Sequence, residues 1–249
     1  MGRIRAAFED LGNLVLFFFE TLVWVFRPPV RLELLVQQMS AIGVGSSFIV
    51  AVTGLFAGMV LALQGNYAMR QFGAEGYVGG FVAISLVREL GPVFTALMVT
   101  GRSGSAITTE LGTMRVTEQI DAMESMAVSP VHYLAVPRVV AATLMMPVLD
   151  VLFTGVGYLG GYLIATYVSQ IPPGPFLDHT QAMLDVGDLG HGLLKAVIFG
   201  AVISTIATYR GFTASGGARG VGEATTRAVV WSSVAILVLD YVITFLAIG

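Results

Sequence analysis

The sequence predicts an all-α integral membrane protein, on three observations. Apolar residues fill 55% of the 249 positions while Asp, Glu, Lys and Arg fill only 12%, about half the charged share of a soluble domain. Five stretches are each apolar enough over the ~20 residues that a helix needs to cross a bilayer. Glycine is abundant, at 30 residues, which suits helices packed closely within lipid. A soluble core of this size would need a charged shell that this chain cannot supply.

The elements follow in order. MGRIRAAFEDLGN has no small-residue cleavage site behind a short apolar core, so it reads as a retained N-terminus. It also lacks the Ser or Thr at position six that a myristoylation signal carries. LVLFFFETLVWVF (residues 14–26) is short, interrupted by Glu20, and stops at Arg27-Pro28-Pro29, where a helix ends. Its aromatic turns and flanking charge suit a helix lying in the membrane interface, with a sixth span as the alternative. Residues 1–31 are therefore expected to form a cytoplasmic interfacial segment and residues 32–249 a five-span domain. The spans are expected at about 42–63, 78–100, 139–168, 193–209 and 228–248, the third long enough to tilt.

Orientation follows from Lys and Arg, which gather on cytoplasmic loops. With the N-terminus inside, Arg3, Arg5, Arg27, Arg31, Arg102, Arg115, Arg138, Arg210, Arg219 and Arg227 all fall inside. Arg70 and Lys195 fall near the outer side and Arg88 within the membrane. The C-terminus is therefore expected outside. No internal repeat is visible, and an odd number of spans disfavours an inverted one. The outer loop SQIPPGPFLDHTQAMLDVGDLGHG has prolines first and then a short, acidic helical stretch.

Between spans two and three, GTMRVTEQIDAMESMAVSPVHYLAVPR (residues 112–138) is the most polar part of the chain. Val116, Ile120, Met123 and Ala127 recur on one helical face. Glu118, Asp121 and Glu124 lie off that face, and Ser129-Pro130 ends the run. A passive surface connector would favour Lys and Arg against anionic lipid. The acidic face suits a protein partner with a basic groove instead.

These residues carry a family resemblance. SLVRELGPVFTALMVTGRSGSAITTELGTMRVTEQIDAMESMAVSPVHYLAVPR closely resembles the signature block of the MlaE permease family, the membrane subunits of lipid-handling ABC transporters that work with MCE-domain proteins. GVGEATTRAVVWSSVAILVLDYVIT (residues 220–244) resembles that family's last span and GLFAGMVLALQG (residues 54–65) its first. The resemblance covers roughly residues 30–249. It implies a homodimer in the bacterial inner membrane, driven by a cytoplasmic ABC ATPase that would hold the ATP and Mg. It also implies a periplasmic MCE-domain partner, a STAS-domain subunit in some complexes, and phospholipid or a related molecule as cargo. The helix at about 116–128 would be the coupling helix, with Arg115, Glu118, Gln119, Asp121, Glu124 and Met126 facing the ATPase.

Arg88 and Glu89 sit inside span two, where each charge costs at least ~2.5–3.5 kcal/mol unless paired or facing a polar cavity. Successive helical residues point about 100° apart, so each needs its own partner. Asp240 and Lys195 are the candidates, and a network of Arg88, Glu89, Lys195 and Asp240 would balance to zero charge. Two readings stay open and are compatible: an ion-pair network fixing helix packing, and groups lining a lipid headgroup cavity, where an Arg fork suits phosphate. Gly91-Pro92 would kink the span beside them. For lipid tails, Leu61, Gly65, Ala68, Met69 and Phe72 form a helical stripe past the first span and, with Leu90, are the candidate contact surface. Ordinary helix packing is the alternative for each one.

Other signals point nowhere. SGGARGVGEATTRA (residues 215–228) lacks the spacing of a phosphate-binding loop, and reads as a flexible cytoplasmic turn. His132, His179 and His191 have no metal-ligand spacing, and the chain has no cysteine. No catalytic constellation or nucleotide-hydrolysing motif is present, so no cofactor, metal, nucleic acid or enzymatic activity is expected of the chain itself. Beside the ABC reading stand an ion-coupled secondary transporter titrating Glu89 and Asp240, and a structural anchor for a periplasmic assembly.

Overall fold

The computed structural model describes residues 2–28 and 31–248, with side chains for 9–28 and 31–247. Pro29, part of the expected helix stop, lies outside the described residues, as do Met1, Val30, Gly249 and the side chains of Arg3 and Arg5. The described residues form helices and no strands: α1 Gly2–Val25, α2 Leu32–Met39, α3 Gly45–Arg70, α4 Val78–Ser85, α5 Gly91–Val99, α6 Ser105–Val116, α7 Gln119–Ser125, α8 Val136–Leu163, α9 Pro173–Met183, α10 Val186–Phe212 and α11 Gly217–Ile248. Wide turns with one extra residue in the hydrogen-bond ladder, of the π kind, occupy Ser40–Val44, Leu86–Leu90, Thr100–Gly104, Val131–Ala135 and Ile164–Val168.

Among the described residues, five runs are long and apolar enough to cross a membrane: Leu32–Arg70, Glu75–Val116, Val131–Val168, Val186–Phe212 and Gly217–Ala247. They reach beyond the stretches that apolarity marks out. The first begins at Leu32 rather than near Ile42, the third at Val131 rather than Val139, and the fifth at Gly217 rather than Ala228. Once nucleated, a helix adds polar residues at little cost, so it outlasts the hydrocarbon. Likewise α1 extends from Gly2 to Val25 instead of covering only the apolar patch.

The chain forms two compact units. One comprises Met1–Ile42, Val99–Met145 and Gly200–Val238, and polar ties hold it together. Buried Arg138 donates to Glu110 at 2.8 Å. Arg210 forks onto Asp10 of α1 at 2.7 and 3.1 Å, and Phe17 lies beside Tyr209 and Phe212. Thr108 donates to the carbonyls of Gly104 and Ala207, both at 2.9 Å. The short α7 is pinned by Ile120, 1% exposed.

The other unit comprises Gly43–Met98, Met146–Phe199 and Leu239–Gly249, and depends on small residues. A Cβ added at Gly58 of α3 would stand 1.8 Å from the carbonyl oxygen of Gly157 in α8, and one at Gly54 2.6 Å from that of Phe153. Such backbone contact is how helices associate where lipid removes the hydrophobic drive between them. Large apolar side chains turn outward instead, among them Phe48, Phe56 and Tyr67 on α3 and Tyr241 and Phe245 on α11.

Gly58→Val should lower unfolding stability by about 1–3 kcal/mol or more through overpacking. Gly190→Ala, where an added Cβ meets nothing within 4 Å, should be neutral or slightly stabilising. Thermal unfolding of both purified variants in one detergent compares them.

Candidate functional site

The second unit's charges gather on the wide turn Leu86–Leu90. Gly91 and Pro92 follow, and the proline's missing N–H and its ring disfavour a regular turn over residue 88. Against this turn lies one face of α10, formed by Asp188, Gly192 and Lys195 at i, i+4 and i+7. Gly192 lets the two meet, because a Cβ there would come 2.2 Å from the carbonyl oxygen of Val87.

Asp188 and Lys195 are separated by about 10.5 Å of helix rise, and each takes one of the adjacent charges. Arg88 donates to Asp188 at 3.0 Å. Lys195 Nζ donates to Glu89 at 2.5 Å, to Asp240 of α11 at 2.8 Å and to Thr244 Oγ1 at 2.7 Å. Thr244 then donates to Glu89 at 3.2 Å. Lys195 is wholly enclosed, whereas the Arg88 and Glu89 side chains are 30% and 36% exposed. The cluster therefore has a sealed ammonium and an accessible edge.

The expected four-residue network is corrected on one point. Arg88 does not join Glu89, Lys195 and Asp240, but pairs with Asp188. Successive residues diverge in direction, and the nearer α10 turn supplies Arg88 with a carboxylate. The signal was present in DVGDLGHGLLKAV, where Asp188 precedes Lys195 on the same helical face.

The apolar candidates separate. Leu61 and Leu90 line one groove of about 670 Å³, with Phe56, Val60, Gln64 and Phe94. Gly65 is instead buried under Phe81, 3.0 Å from an added Cβ. Ala68 is exposed and Met69 half-buried. Helix α3 ends at Arg70, and Phe72, 84% exposed, lies in the turn after it. The amides of Phe72 and Ala74 both bond to the Met69 carbonyl, and Gly73 takes a φ of 65°, so the stripe stops before Phe72.

The acidic helix is shorter than the expected 116–128. Val116 closes α6, Glu118 takes a φ of 62° and Ala127 a φ of 60°, so α7 is confined to Gln119–Ser125. Ala127 is exposed and off the shared face; Ile120 is its buried anchor. Glu118, Gln119, Asp121, Glu124 and Met126 are exposed and Arg115 is half-buried, its guanidinium paired with Asp121. Sequence reasoning also passed over Asp150 of α8, a lone carboxylate in LMMPVLDVLF that is 4% exposed.

Long apolar spans, a sealed ion cluster with an open edge and an apolar groove beside it make this a multi-pass membrane protein of the permease class. Residues 35–246 match the family described as "Permease MlaE". The chain belongs to the MlaE permease family. It is 40% identical over 245 residues to the "Intermembrane phospholipid transport system permease protein MlaE" of Haemophilus influenzae, covering 97% of this chain and 93% of that one. A probable ABC transporter permease protein of Rickettsia conorii is 43% identical over 236 residues, 95% of this chain and 91% of its own. The chloroplastic "Protein TRIGALACTOSYLDIACYLGLYCEROL 1" of Arabidopsis thaliana is 38% identical over 208 residues, 84% of this chain and 59% of its own.

Lys195→Met strands two carboxylates and should cost about 3–5 kcal/mol, as removal of one partner from a buried pair does. Adding Glu89→Gln and Asp240→Asn should restore most of that loss. Detergent unfolding of the single and triple variants would show no recovery if the cluster were not a unit.

Proposed function

We propose that this chain is the membrane subunit of an ABC transporter that moves phospholipid, or a related lipid, between the bacterial inner membrane and a periplasmic MCE-domain protein. It acts as a homodimer, and a separate cytoplasmic ATPase binds ATP and Mg and supplies the energy. A STAS-domain subunit, which accompanies some complexes of this kind, would be a further partner. The observation that carries this reading is the adjacency of an open charged edge and an apolar groove: Arg88, Glu89 and Leu90 are consecutive, and Leu90 lines the groove with Leu61. A phospholipid needs both surfaces, a guanidinium for its phosphate and an apolar wall for its tails. Ala68, Met69 and Phe72, accessible at the end of α3 and in the turn beyond it, would extend the tail path, whereas Gly65 packs beneath Phe81 and serves the helix contact instead.

The name of the Haemophilus relative supports the cargo. The charge distribution supports the orientation: the unit that contains α7 also contains ten of the thirteen Lys and Arg, and such residues favour the cytoplasm. This supports an N-terminus inside, a C-terminus outside and α7 before the ATPase, and on this reading Arg115, Glu118, Gln119, Asp121, Glu124 and Met126 form the contact surface. The shared ammonium of Lys195 between Glu89 and Asp240 favours an ion cluster over two free titrating carboxylates.

The chain, reconstituted with its ATPase and MCE protein, should transfer fluorescent phospholipid only with ATP. Arg88→Ala should slow transfer about tenfold, the equivalent of losing one charge-assisted hydrogen bond. Transfer driven by a proton gradient without ATP would overturn the reading in favour of ion coupling. At α7, Glu118→Lys with Glu124→Lys should weaken ATPase co-purification at least tenfold, since like charges at an interface cost several kcal/mol. Unchanged recovery from an intact variant would remove α7 as the docking element.

A further inference from the structure

The second unit holds another cavity, of about 290 Å³, between α4, α8, α9 and α10. Its wall is apolar, with Ala83, Val87, Val151, Leu189 and Leu193, yet Asp150 also lines it. Asp150 is 4% exposed, and its buried Oδ1 has no hydrogen-bond partner. Among the described residues no cation pairs with it: Arg88 is taken by Asp188, and Lys195 by Glu89 and Asp240. The carboxyl is built in closely. A Cβ on Gly91 would stand 2.6 Å from Asp150 Oδ1 and 2.6 Å from Thr154 Oγ1, so only glycine at 91 leaves these oxygens their space.

Asp150, Thr154 and Tyr158 follow one face of α8 at i, i+4 and i+8 along the cavity. Tyr158 is satisfied by Thr180 at 2.9 Å, so the unmet acceptor is at the Asp150 end. Hydrocarbon alone would leave that acceptor buried and unbonded, which folded proteins avoid. A lone water beside Asp150 and Thr154 would meet the minimum of two polar partners but would leave the apolar remainder of the cavity, lined by Val151, Leu189 and Leu193, unfilled. We infer that the cavity binds a long-chain amphiphile whose head, an amine or a hydroxyl, donates a hydrogen bond to Asp150 while its chain lies against the apolar wall. The site is separate from the Leu61–Leu90 groove and does not rest on the transport reading.

The test uses the full-length protein in phospholipid nanodiscs, with no ATPase and no ATP, and photo-crosslinks dodecylamine and dodecanol bearing a terminal diazirine. Adducts should map to α8 around Asp150–Tyr158 and α10 around Leu189–Leu193. Excess unlabelled dodecylamine or dodecanol should cut them at least tenfold, whereas methyl dodecanoate, whose ester head only accepts, should not. Gly155 lines the cavity and an added Cβ there meets nothing within 4 Å, so Gly155→Leu brings a bulky side chain to the cavity wall with no clash at its Cβ. That variant and Asp150→Leu should lose labelling tenfold, and Asp150→Asn, which keeps an acceptor, should retain it. Should Asp150→Leu fail to fold, Gly155→Leu decides the same question. Equal competition by methyl dodecanoate, labelling undiminished by Gly155→Leu, or adducts confined to α3 would each overturn the proposal. Adducts from only one of the two probes would identify the head as amine or hydroxyl.

Discussion

The enclosed ammonium of Lys195 is the constraint on which the second unit depends. A charge removed from water costs several kcal/mol unless partners surround it, and Lys195 has none of its surface exposed. Glu89, Asp240 and Thr244 must therefore converge on it, which joins the Leu86–Leu90 turn and α11 to α10. The approach has to be close, and Gly192 makes it so. With α10 fixed there, Asp188 falls beside Arg88 and orients its guanidinium. One sealed charge thus decides the direction of two that stay accessible.

The units solve the problem of cohesion differently. In the second, backbone meets backbone at Gly58 and Gly157, and bulky apolar side chains are left for the surroundings. In the first, Arg138, Arg210 and Thr108 make ion pairs and hydrogen bonds to groups distant in sequence. Apolar burial cannot drive association inside lipid, since tails are as apolar as leucine. Steric fit and polar ties remain: the first unit relies mainly on the ties, and the second joins close backbone contact to the single Lys195 cluster.

The spans were legible because length and apolarity are additive properties of a segment. Their ends were not, since the helix at Leu32 or Gly217 continues through residues with no apolar signal. Pairing was half legible. Charge balance singled out Lys195, Glu89 and Asp240, but balance does not say which acid meets Arg88; that depended on the α10 register and on Gly192. Periodicity failed at Phe72 and Ala127 for one reason: a turn at Met69–Ala74 and a positive φ at Ala127 interrupt helices whose side-chain spacing continues. Asp150 carried no pattern at all, because its setting is made by Gly91 and Thr154 rather than by its neighbours in sequence.

The turn Leu86–Leu90 gathers these threads. An α-helical turn would send Arg88, Glu89 and Leu90 out at even steps of 100°; a π turn spreads them over a wider circuit and commonly marks a working site. Here the three directions are α10 at Asp188, the Lys195 cluster and the groove with Leu61. Proline at 92 disfavours the regular alternative, and glycine at 91 admits Asp150 and Thr154 from α8. Within five residues and the Gly-Pro behind them, the chain therefore sets a cation, an anion and an apolar contact in different directions. Charge and hydrocarbon surface meet there without either being buried against the other, which is the physical requirement for handling an amphiphile within a membrane.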